Sequence, residues 1–160
     1  MGAIVAVIVA LALLGSVLWL KPSAAQQRQT KLRLLARQLG IDVRLSTLPQ
    51  TRRARVRAEA EQQGVAYRLL RFGDKREKPI EFLMCRTDAR SEWEGDAEMQ
   101  LPPAVSAELE RILPLLPADV VAFEITPTGC GVYWRERGDE ATVRLLKDLL
   151  EAMQRTLLAA

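Results

Sequence analysis

The chain has 160 residues with 23 Lys/Arg, 20 Asp/Glu and no histidine, giving a formal net charge of +3. Without histidine there is no Ser-His-Asp or Cys-His nucleophile activation, no imidazole general base and no metal site that needs imidazole. Two cysteines, Cys85 and Cys130, stand in no C-x-x-C spacing and make neither a disulfide framework nor a zinc motif.

Residues 3–20 carry no charged side chain. At about 1.5 Å per residue this run makes a helix of roughly 27 Å, against a bilayer core of about 30 Å. Trp19 near its end and Lys21 just after it suit a membrane–water interface. Residues 1–21 are therefore expected to be a transmembrane anchor. Lys21, Arg28, Lys31, Arg33 and Arg37 follow the run and no charged side chain precedes it. For a bacterial chain this predicts a single-pass inner-membrane protein, N-terminus out and domain cytoplasmic. The competing reading is a cleaved signal peptide ending at the small residues Ser23-Ala24-Ala25, but the positive charge lies on the wrong side for one.

Residues 22–40 read as a basic juxtamembrane helix. Leu32, Leu35, Ala36 and Leu39 share one face, Arg28, Lys31, Arg33 and Arg37 occupy much of the rest, and Gly40 is placed to end it. These four cations are candidate contacts to anionic lipid head groups.

Residues 41–160 are expected to form a single α+β cytoplasmic domain. Residues 41–48 alternate as a half-buried strand. Residues 51–63 have one large apolar residue, Val56, and read as a solvent-facing helix with Arg55/Glu59 and Arg57/Glu61 as i,i+4 pairs. Arg52, Arg53, Arg55 and Arg57 make the densest basic run and are further candidate lipid contacts. Residues 65–72 and 80–87 read as two strands joined into a hairpin by GDKREKP.

Residues 88–100 are acidic and aperiodic, a long loop holding Trp93. Tryptophan is enriched in interface hot spots, so Trp93 is a candidate partner contact; the alternative is that it folds back over the core edge. Residues 103–113 form a helix with Val105, Leu109, Ile112 and Leu113 inward. Strands 119–126 and 132–137 flank PTGCG as a second hairpin, which puts Cys130 at an exposed turn. Asp139 is placed to cap the last helix. That helix carries Val143, Leu146, Leu150, Met153 and Leu157, flanked by Leu145, Leu149 and Leu158, an apolar face wide enough for a second copy or a partner helix.

The expected fold class is α+β: an N-terminal transmembrane helix, then a small antiparallel sheet of about five strands in two hairpins, packed with two to three helices. Charge is divided along the chain. Residues 21–78 hold fifteen Lys/Arg against five Asp/Glu, and residues 79–160 hold eight against fifteen. The function expected is non-enzymatic, with no cofactor or metal: a membrane-anchored protein that binds or positions a protein partner, or self-associates, at the inner membrane. The alternative is a module reading anionic lipid with its basic, membrane-proximal half. Nucleic acid is not an expected partner, because neither a groove-entering motif nor interleaved aromatics accompany the arginines.

Overall fold

The computed structural model describes Gly2 and residues 23–71, 80–88, 90–95 and 100–160. The expected membrane span and the GDKREKP link lie outside the described residues. Among the described residues no helix is long and apolar enough to cross a membrane. The chain divides into two compact units, Met1–Lys31 and Leu32–Ala160.

Of the first unit, Gly2 and residues 23–31 are described. They include the start of α1 (Ala24–Gln38). Ser23 and Gln26 cap that start reciprocally: Gln26 N–H donates to Ser23 Oγ (3.2 Å) and Ser23 N–H donates to Gln26 Oε1 (2.9 Å).

The second unit is α+β. It comprises the end of α1, then β1 (Asp42–Thr47), α2 (Arg52–Val56), β2 (Gln63–Leu70), β3 (Phe82–Cys85) and β4 (Glu94–Gly95). There follow α3 (Pro103–Ile112), a short 3-10 turn (Leu113–Leu115), β5 (Val120–Thr126), β6 (Gly129–Trp134) and α4 (Glu140–Ala159). The six strands form one antiparallel sheet in the order β1-β2-β6-β5-β3-β4.

Side-chain alternation gives the sheet two unlike faces. Val43, Val65, Tyr67, Leu69, Val120, Phe123, Ile125, Cys130, Val132 and Trp134 enter the main core. Leu32 and Ala36 of α1, Val105, Leu109 and Ile112 of α3, and Val143, Leu146, Leu150, Met153 and Leu157 of α4 close over them. This is the helical periodicity expected of α1, α3 and α4, met by the strands' period of two. The second face carries a smaller cluster of Leu48, Ala66, Cys85, Val121, Ala122 and Tyr133. Beside it lies α2, whose buried Ala54 lines a cavity of about 50 Å³ with Leu48 and Val121.

Several local expectations are corrected. The predicted helix over 51–63 stops at Val56: Thr51 caps it by accepting from Ala54 N–H, but only Ala54 is buried, and Ala58 turns to φ +50°. A helix with no apolar face has nothing to hold it against the chain's other options. Arg55/Glu59 and Arg57/Glu61 are therefore not helix pairs, and Gln63 already belongs to β2. The hairpin expected between residues 65–72 and 80–87 does not form, because β6 and β5 lie between β2 and β3. The strands consecutive in sequence that do pair are β1–β2, β3–β4 and β5–β6. Cys130 is buried inside β6, since that strand begins at Gly129 rather than at 132. The sheet has six strands instead of about five because Glu94–Gly95, in the acidic loop, pairs with β3. The end of α1 is as expected: Gly40 adopts φ +81°, and Ile41 N–H bonds Ala36 O (2.9 Å).

Candidate interaction surface

Three arginine-centred clusters organise the polar groups of the second unit. In the first, Glu136 follows β6 at φ +56° and is only 1% exposed. Arg33 of α1 holds it with two parallel bonds, Nε to Oε1 (2.8 Å) and Nη2 to Oε2 (2.6 Å), and Tyr67 Oη donates to Oε1 (2.9 Å). A buried carboxylate needs a bidentate partner of this kind. The bond to Glu136 raises the Arg33 pKa above its ordinary value, and burial raises that of Tyr67.

The second cluster crosses the sheet. Arg68 of β2 and Glu124 of β5 both lie opposite Gly131 of β6. Arg68 bonds Glu124 through its Nε, and its Nη2 lies 3.3 Å from Glu124 Oε2. Tyr133 Oη accepts from Arg68 Nη2 and donates to Glu124 Oε2, both at 3.0 Å. A methyl on Gly131 would stand 2.8 Å from Arg68 Cγ and 2.9 Å from Tyr67 O, so the arginine crosses where the middle strand has no side chain.

In the third cluster, Arg86 is buried and donates to two carbonyls of the α3–β5 connection, Pro117 (2.5 Å) and Leu116 (3.4 Å), and to that of Val120 at the start of β5 (2.8 Å). Its guanidinium carbon lies 4.5 Å from the centroid of the Trp93 ring. Burial lowers the Arg86 pKa. Trp93 is thus half-buried over Arg86 and packed against the core.

The residues singled out in the sequence fall into distinct groups. Arg28, Lys31 and Arg37 are exposed on α1, whereas Arg33 is committed to Glu136. Arg52, Arg53, Arg55 and Arg57 are all exposed around α2, on the sheet face opposite the one α1 covers. The two thiols are buried, and burial pushes Cys85 up to about 11 and Cys130 up to about 12. Among the described residues no group of His, Cys, Asp and Glu is placed to hold a metal ion.

The sequence reading missed two features. One is the edge formed by β1, which pairs with β2 along its full length and, among the described residues, has no strand on its other side. Leu45 on that strand is 73% exposed. Arg44 Nε bonds Asp42 Oδ2 at 2.7 Å beside it. The other is a trough of about 360 Å³ on the neighbouring open face, lined by Arg44, Arg68, Arg71 and Thr126 among others. In the sequence Leu45 falls with Ile41 and Val43 on the apolar side of the alternation, and nothing local to it says which strand ends the sheet or that Leu45 is left exposed.

No protein-family model, no curated protein and no solved structure matches this chain.

Proposed function

We propose that the chain is a single-pass inner-membrane protein, anchored by residues 1–21, whose cytoplasmic domain docks a protein partner at the membrane rather than performing catalysis. One observation carries the docking reading: among the described residues nothing pairs with the outer side of β1, which leaves the outward-pointing N–H and C=O groups of alternate residues open, with Leu45 exposed beside them. An unpaired strand edge is a template for another strand, and main-chain bonds then supply affinity. The anchor reading is supported by the uncharged run 3–20 and the cations that follow it.

Two measurements test this. Alkaline phosphatase and green fluorescent protein are fused, separately, to Ala160 of the full chain. Fluorescence with an intact N-terminal mass is expected, and phosphatase activity would overturn the orientation. A photo-crosslinking residue at Thr47, exposed at the end of β1, should capture a discrete partner in membranes. The same probe at Arg155, exposed on α4, should not.

The second reading, an anionic-lipid surface, is favoured by four exposed arginines within six residues at 52–57. It predicts salt-sensitive flotation with acidic vesicles that fails when Arg52, Arg53, Arg55 and Arg57 are replaced by glutamine.

A further inference from the structure

We propose that the open edge of β1 pairs with the same edge of a second copy of this chain, antiparallel and centred on Leu45. This names the partner of the surface put forward above and rests on that reading. The strand's own chemistry selects the occupant and the register.

β1 carries few of the devices that keep edge strands apart. It contains no lysine and no proline, and it pairs with β2 without a register shift. Its two charges, Asp42 and Arg44, are bonded to each other. The other edge of the sheet, by contrast, is the two-residue β4.

Directly opposed residues of an antiparallel pair point to the same face of the sheet. Two copies joined through residues of unlike face, such as Arg44 against Leu45, would turn one sheet over and put the two α1 helices on opposite sides. Joined through residues of like face, both sheets present the α1 side together. That arrangement keeps Val43 and Leu45 of both strands on one face of the joined sheet. Two such registers pair five residues within β1. Centring on Arg44 sets one guanidinium directly against its copy. Centring on Leu45 sets leucine against leucine, Arg44 against Ser46 and Val43 against Thr47, and covers the most exposed apolar side chain of the strand.

Five paired residues a side make a small interface, below the size of stable soluble complexes. Confinement of both chains to one membrane supplies the effective concentration that such a contact needs. The pair is therefore expected in membranes and should separate on dilution into detergent.

The test uses the full-length chain in its membrane. Opposed strand residues bring their Cβ atoms within about 4.5–5.5 Å, near disulfide reach. Cys85 and Cys130 are buried, so the parent chain gives a low background. On mild oxidation with copper-phenanthroline, Leu45→Cys should run mostly as a disulfide dimer. Arg44→Cys should cross-link with co-expressed Ser46→Cys in preference to itself. Leu45 is largely solvent-exposed, so its substitution leaves the fold intact, which tryptophan emission checks. A Leu45→Cys chain that gives no more dimer than the parent overturns self-pairing. If the Thr47 photo-probe then captures a different protein, docking at the edge stands and the second copy does not. If it captures nothing, both fall.

Discussion

Arg33 and Glu136, 103 residues apart in sequence, close on each other through two bonds of 2.8 and 2.6 Å. The pair ties α1 to the end of the last strand, and Glu136 is 1% exposed beneath it. Removing Arg33 takes away the bidentate cationic partner of a buried carboxylate. Arg33→Ala should therefore lower unfolding free energy by about 3 kcal/mol, read as a shifted urea midpoint. Glu136→Gln, which can keep the Tyr67 contact, should cost less. Equal midpoints for Arg33→Ala and the parent would show that the pair contributes nothing. Because Arg33 is already engaged, its loss should leave vesicle flotation unchanged.

Gly131→Ala is expected to destabilise the domain by about 1–3 kcal/mol, the range for forcing an extra carbon into a packed site. The new methyl meets Arg68 Cγ and the Tyr67 carbonyl on the adjacent strand, and the arginine is pushed away from Glu124 and Tyr133. Pairing the change with Arg68→Ala gives the arginine's share. If the two costs add, the crossing over Gly131 is not the cause.

Arg86→Met should cost about 1–3 kcal/mol by leaving the carbonyls of Leu116, Pro117 and Val120 short of donors. Trp93→Ala should cost about 1 kcal/mol or less, the scale of a cation–π contact at a partly exposed site. Denaturation midpoints check both. A Trp93→Ala chain with parental stability and lost partner capture would instead place Trp93 in the docking surface.

Stability should fall at both ends of the pH scale. Cys85 and Cys130 have folded pKa values raised from 9.0 to about 11 and about 12. Their contribution is complete below pH 9, where the unfolded thiols are neutral, and is lost as the pH rises from 9 toward those folded values. In the acid range, bonds to Asp139 from the Thr142 amide and hydroxyl, and to Glu108 from Arg111, hold both carboxyls below their ordinary values of 3.8 and 4.5. Those contributions are present above the ordinary values and lost as the pH falls through the lowered ones. Urea midpoints from pH 3 to 11 read both limbs, and Cys130→Ala should flatten the alkaline one.

Which parts of this architecture could be read in advance follows the range of the interactions. The stripe Val143, Leu146, Leu150, Met153 and Leu157 and the cap at Asp139 are local patterns, and α4 forms where they predict. The β5–β6 hairpin is likewise set by its own turn. A β2–β3 hairpin follows from the rule that strands close in sequence pair, whereas here β6 and β5, both later in the chain, stand between them. The helix expected at 51–63 rested on propensity alone, and tertiary context withdrew its support after Val56. No local pattern marks Glu136: its left-handed backbone and its bonds to Arg33 and Tyr67 arise only when distant segments meet.

The strand order also governs when the protein can become itself. β2 has β1 beside it early, but its other neighbour, β6, ends at Trp134. As the ribosome delivers the chain from the N-terminus, β2 waits with a raw edge until nearly all of the domain has emerged. Val65, Tyr67 and Leu69 wait with it, lacking α4 as a roof. The nascent chain should accordingly be a client of holding chaperones through most of its synthesis, and resistance to protease should arrive abruptly, only after residues 140–159 clear the exit tunnel.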